Sequence, residues 1–163
     1  LDWSGIVIDA LVEFAVGYKE NRPRTRFCNF IITDRSGDIK PFYRLNAVTG
    51  LSSVSQEYVE KAAEYFGVKK DYQVIYVPTI TLTEILEKNG ISKIDFLSMD
   101  IEGSELAALS GFDINKFRPR LVCIEAQPRI RDKIFKYFSE HGYVRINKYL
   151  KYDKINWYFR PRR

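Results

Sequence analysis

Four apolar runs of this chain end in a carboxylate: "GIVID" at Asp9, "FIITD" at Asp34, "FLSMD" at Asp100 and "LVCIE" at Glu125. Short, β-branched apolar runs bounded by turn residues are the pattern of strands buried on both faces. Helical signals fill much of the sequence between them. Leu11, Phe14 and Ala15 lie at i, i+3 and i+4, a brief helix that must stop before Pro23. Ser53 with Gln56 fits a capping box, followed by Val59, Ala62, Ala63 and Phe66 up to Gly67. Thr81 with Glu84 fits a second box, with Leu82, Ile85 and Leu86 as its apolar stripe and Asn89-Gly90 as its end. A helix over Ser104–Ser110 closes at Gly111. Another runs from Pro128, with Ile130, Ile134 and Phe138 on one face, to Gly142.

The remaining strands complete the rhythm. Residues 25–34 read as one strand, the "RSGD" turn leads into "IKPFYRL", and Pro41, lacking an N–H, makes that run an edge or hairpin strand. "YQVIYVPTI" is a further strand, and "YVRINKYL" and "INWYFRP" form an antiparallel closing pair. Strands alternating with helices predict an α/β fold: a Rossmann-like, doubly wound, mostly parallel sheet with an antiparallel C-terminal strand pair. With 163 residues, 45% of them hydrophobic, the chain suits one core and one domain over residues 1–163.

Composition excludes several classes of function. No window reaches the ~20 apolar residues of a membrane span. Cys28 and Cys123 sit inside apolar runs, as buried free thiols do, and this usage predicts a reducing, cytoplasmic setting. The net charge is +5, and from Arg145 onward seven Lys or Arg face Asp153 alone, which reads as a solvated basic tail. No nucleic-acid-binding module accompanies it, so no nucleic-acid partner is expected.

In an open parallel sheet, ligands bind beyond the carboxyl ends of the strands. A rim of acids there suits a ligand rich in hydroxyls or carrying positive charge, because each carboxylate oxygen accepts charge-assisted hydrogen bonds. An acid ending a strand, as Asp9 does, is a common grip on ribose hydroxyls. Glu105, in a first helical turn, fits favourable interaction with the helix dipole, and His141, beside Gly142, fits a helix end. Tyr43, Tyr58, Tyr65, Tyr72 and Tyr76 are either core filler or the floor of an acceptor pocket. The small, polar "NAVTGLSSVS" reads as a loop covering the carboxyl edge.

The block "TLTEILEKNGISKIDFLSMDIEGSELAALSGFDINKFRPRLVCIE" resembles the core of the FkbM-type family of S-adenosylmethionine-dependent methyltransferases. That family has a helix, a strand close to IDFLKIDVEG, a helix with ELxxLxG, and a strand after RPR. "GIVIDA", "RTRFCNFIITDRSG", "GLSS" and "NWYF" extend the resemblance over nearly the whole chain. The family's first strand and glycine-rich loop are expected before Gly5, so the resemblance implies a class I methyltransferase-like domain that is partial at its N-terminus.

The resemblance implies S-adenosylmethionine as cofactor, with Asp9 on its ribose hydroxyls, Asp34 near its adenine and Asp100 nearest its methionine end and the transferred methyl. It further implies O-methylation of a hydroxyl on a sugar, glycolipid or secondary metabolite, a small-molecule or glycan acceptor. Asp100 and Glu102 are the catalytic candidates, because a carboxylate whose pKa is raised by burial or crowding can take the acceptor's proton. A divalent cation held by Asp100 and Glu102, with Glu125 as an optional third ligand, is compatible with the pattern but not required, and no metal ligand is assigned. Two other readings stay open. One is a non-catalytic or degenerate Rossmann-like binding module, and the other a nicotinamide-dependent enzyme.

Overall fold

The computed structural model describes residues 3–162. The chain divides into two compact units, Leu1–Ile80 and Thr81–Arg163. In the first, β1 (Gly5–Asp9), α1 (Phe14–Asn21) and β2 (Thr25–Asn29) form a crossover unit in which β1 and β2 pair in parallel, Asp9 beside Asn29. The expected single strand over residues 25–34 is broken. β2 belongs to β1, whereas β3 (Ile31–Ile32) pairs in parallel with β5 (Tyr72–Ile80). The Asn29 side chain explains the break: its amide donates to the carbonyl oxygens of Asp9 (3.0 Å) and Ala10 (2.8 Å), satisfying acceptors just where the ladder ends.

β4 (Ile39–Leu45) lies on the edge of the order β3-β5-β4, antiparallel to β5, with Pro41 opposite Tyr76. Its partner is therefore β5 and not the strand just before it. Ala10, Ile31 and Val77 form one buried cluster, and Leu45, Val59 and Ala63 another under α2 (Gln56–Tyr65). Helix α2 is capped by Ser55, whose hydroxyl accepts from the Tyr58 N–H (3.2 Å), and not by Ser53. Ser53 is engaged elsewhere, because its backbone exchanges two hydrogen bonds with Tyr43. Together with the bond from the Leu45 N–H to the Ser52 hydroxyl (3.0 Å), this ties the "NAVTGLSSVS" segment to β4, with a 3₁₀ turn at Thr49–Leu51. The loop expected to cover the carboxyl edge is thus held against β4.

The second unit opens with α3 (Leu82–Lys88), where the Glu84 N–H donates to the Thr81 hydroxyl as the capping box predicts (3.1 Å). β6 (Phe96–Met99), α4 (Glu105–Ser110), α5 (Ile114–Phe117), β7 (Leu121–Glu125), α6 (Arg131–Glu140), β8 (Tyr143–Arg145) and β9 (Asn156–Pro161) follow. The sheet order is β6-β7-β9-β8, with β6 and β7 parallel and the closing strands antiparallel, as expected. Phe138 of α6 stacks on Phe159 of β9 (4.2 Å) and meets the edge of Tyr143 (5.6 Å), so α6 packs its apolar face on this sheet. Burying one such side chain stabilises by about 2–3 kcal/mol.

The fold is thus mixed α/β. Where the sequence predicts one mostly parallel, doubly wound sheet, the described strands form three sheets with three parallel and three antiparallel pairings. Cys28 is buried, and Cys123 only half-buried. No helix among the described residues is long and apolar enough to cross a membrane.

Candidate functional site

Met99 of β6 pairs in register with Ile124 of β7, so Asp100, just past the end of β6, and Glu125, the last residue of β7, come side by side. The chain then turns sharply. Glu102 (φ 54°) and Gly103 (φ 91°) both adopt left-handed backbone, natural for a glycine and uncommon for a glutamate. Such backbone persists only where its surroundings hold it. Here Glu105 does so: it is 0% exposed, and its Oε1 accepts from the N–H groups of Ile101 (3.1 Å) and Gly103 (3.3 Å).

That turn brings one oxygen each from Asp100, Glu102 and Glu125 within 4.8 Å of one another. Crowded carboxylates disfavour one another's ionisation, and burial adds to the effect. Glu125 is pushed up to about 7, first by burial and then by the charges of Asp100, Glu105 and Glu102, against which the Gln127 side-chain amide, 3.0 Å from its Oε2, works weakly. Asp100 keeps solvent-accessible surface, yet protein atoms around its carboxyl raise its pKa by burial. Glu105 is also raised, by burial first, and its two amide partners oppose this. Its Oε2 is buried without a hydrogen-bond partner among the described residues.

Chemically, Glu125 within this trio can accept a proton near neutral pH. The three oxygens also match the hard-oxygen donors that a divalent cation prefers, although three such ligands fall short of the six to eight that calcium takes. Sequence reasoning chose Asp100 and Glu102 as the catalytic candidates and gave Glu125 a place only on the acidic rim and in the optional cation set. The signal for Glu125 was present in its position, since two parallel neighbouring strands that both end in acids place those acids together.

The first unit places its acids differently. Asp9 ends β1, and its Oδ1 accepts from the Leu11 N–H (2.8 Å); burial raises its pKa while that amide lowers it. Asp34 is exposed, accepts from the Thr33 hydroxyl (2.9 Å), and is held below the usual carboxylate range chiefly by that bond. His141 caps α6, with Nδ1 2.7 Å from the Tyr137 carbonyl oxygen and its ring against Tyr137 (4.4 Å), a structural role. Tyr43 and Tyr72 meet edge to face (5.6 Å), while Tyr65 and Tyr76 are exposed.

The family model for the methyltransferase FkbM domain matches residues 1–145. No curated protein and no solved structure matches the chain. The match spans most of the chain, including β1 with Asp9 and the acid-rich end of β6 and β7: this chain belongs to the FkbM methyltransferase family.

Proposed function

We propose that the protein is an S-adenosylmethionine-dependent O-methyltransferase acting on a hydroxyl of a small-molecule or glycan acceptor. The observation that carries this reading is the convergence of Asp100, Glu102 and Glu125 at the end of two parallel strands in a chain of a methyltransferase family. S-adenosylmethionine supplies an electrophilic methyl group on a sulfonium. As the acceptor oxygen forms its bond to that carbon and the carbon–sulfur bond breaks, the acceptor loses a proton, and a carboxylate must receive it. Glu125 suits this step, since a base titrating near neutrality balances availability against proton-transfer driving force.

Asp100 is proposed to accept hydrogen bonds from the methionine end, and Glu102 to orient the acceptor hydroxyl. Asp9 is proposed to take the ribose hydroxyls through the carboxylate oxygen not used by Leu11, and Asp34 to lie near the adenine. These roles draw support from strand-end position and from charge, which favours hydrogen-bond donors and a cationic sulfonium. A divalent cation fits the trio as an optional aid in orienting the acceptor oxygen. The Rossmann-like, doubly wound arrangement belongs to the same proposal, supported by the parallel crossover within each unit.

Calorimetry with S-adenosylhomocysteine tests the cofactor, and transfer of labelled methyl to hydroxylated acceptors tests the reaction. Micromolar binding, weakened about tenfold in Asp9→Ala, with turnover lost in Glu125→Gln at retained binding, is expected. Absence of binding to the wild-type protein overturns the enzyme reading in favour of a non-catalytic module.

A further inference from the structure

The connection between β8 and β9 carries Lys148, Lys151 and Lys154, all exposed, and none makes an ion pair among the described residues. A solvated charged loop ordinarily keeps apolar side chains out of water. This one does the opposite: Tyr152 is 78% exposed and Ile155 57%. Two of the lysines sit against aromatic rings, with the Lys151 ammonium 4.6 Å from the Tyr152 ring centre and that of Lys148 4.9 Å from the Tyr149 ring centre.

The loop is built to hold these side chains out. The Tyr152 and Asp153 N–H groups both donate to the Tyr149 carbonyl (2.9 and 3.0 Å), and Tyr149 packs on Tyr158 of β9 (4.8 Å). Its single acid, Asp153, is turned inward and accepts from the N–H groups of Ile155 (3.1 Å) and Asn156 (2.8 Å). Arg145, by contrast, is spent on structure, over the Trp157 ring (4.3 Å) and on Asn147 (2.8 Å). Arg163, counted in the basic tail, lies outside the described residues.

We propose that residues 147–155 form a docking surface for an anionic lipid bilayer, with Tyr152 and Ile155 entering the headgroup boundary and Lys148, Lys151 and Lys154 meeting the lipid charges. Amphipathic tyrosine and a β-branched apolar residue suit that boundary, and lysines keep their ammonium groups at headgroup level while their stems lie along the apolar layer. Each lysine near such a surface is worth about fivefold in partitioning, so the three together give about 10²-fold. Ile155 accepts from the Ala126 N–H (2.9 Å), which places the loop beside the strand end bearing Glu125. The carboxylates there subtract from the attraction, so docking is reversible and weakens with salt. A polyanion such as RNA would use the lysines alike but would leave Ile155 without a purpose.

Co-sedimentation with vesicles of phosphatidylcholine, with and without 30% phosphatidylserine, tests this without reference to methyl transfer. Pelleting with the serine-containing vesicles only, lost in the triple Lys148→Gln, Lys151→Gln, Lys154→Gln variant and weakened several-fold in Tyr152→Ser with Ile155→Ser, is the expected result. All these positions are exposed, and thermal melting of each variant at the wild-type temperature confirms that it is folded. Equal pelleting with neutral vesicles, no pelleting, or binding indifferent to the variants overturns the proposal. So does tighter binding to polyuridylate that depends on the lysines and ignores Tyr152 and Ile155.

Discussion

Asp9 and Glu125 end parallel strands in the same way, yet they differ in what surrounds them. Asp9 stands opposite an asparagine, Asn29, and spends one oxygen on the Leu11 N–H two residues on. Glu125 stands beside another acid, Asp100, because the register Met99–Ile124 delivers both at once, and a third acid is folded back by the left-handed turn at Glu102. A strand-end acid with a local amide partner is tied into its own turn. One also crowded by like charge holds its proton to higher pH, and neighbouring strands decide which it becomes.

The largest test of that contrast is catalytic. Glu125→Gln keeps the shape and removes the proposed base, so turnover is expected to fall by about 10²–10⁴-fold with cofactor affinity within about threefold. Asp100→Asn should also lower turnover, whereas a Glu125 variant with wild-type turnover would falsify the assignment of the base. Next comes the staple beneath the site. Glu105→Ala strands two amides and opens space, costing about 2–4 kcal/mol in urea unfolding, while Glu105→Gln keeps the acceptor and costs less than half as much. Equal losses in the two variants would mean that the carboxyl merely fills volume.

The pH dependence of stability follows from the same crowding. The folded pKa of Glu125, about 7, lies above its ordinary value of 4.5, so folding favours the protonated form. That contribution is complete below about pH 4.5 and is lost as the pH climbs through 7. Its size is on the order of 1–3 kcal/mol after allowance for solvent screening. Thermal melts should therefore fall between pH 5 and 8 in the wild type and flatten in Glu125→Gln. Asp9→Ala should weaken cofactor binding about tenfold and leave this pH profile intact, a smaller effect read by calorimetry. Smallest of all, Asp34→Ala, at an exposed site, should leave the thermal melting temperature at its wild-type value.

Much of the architecture was legible locally. The Thr81 cap, the glycine turn after Glu102, the edge position of the Pro41 strand and the antiparallel closing pair each follow from a residue whose chemistry acts within a few positions. The misreadings share a cause in contacts distant along the chain. Ser53 lost its cap role to a backbone bridge with Tyr43, and residues 25–34 were cut in two when Asn29 took the carbonyls of Asp9 and Ala10. Glu105 looked like a charge at a helix start, and its complete burial depends on the packing around it.

By itself, the sequence determined the alternation of strands and helices, the acids at the strand ends and membership of the FkbM methyltransferase family, because periodicity, caps and motif spacing are properties of neighbouring residues. Only the tertiary structure decided which acids meet. Strand register is set by pairing between residues more than twenty positions apart, and that pairing put Glu125 next to Asp100, whose charge adds to burial in pushing its pKa towards neutrality.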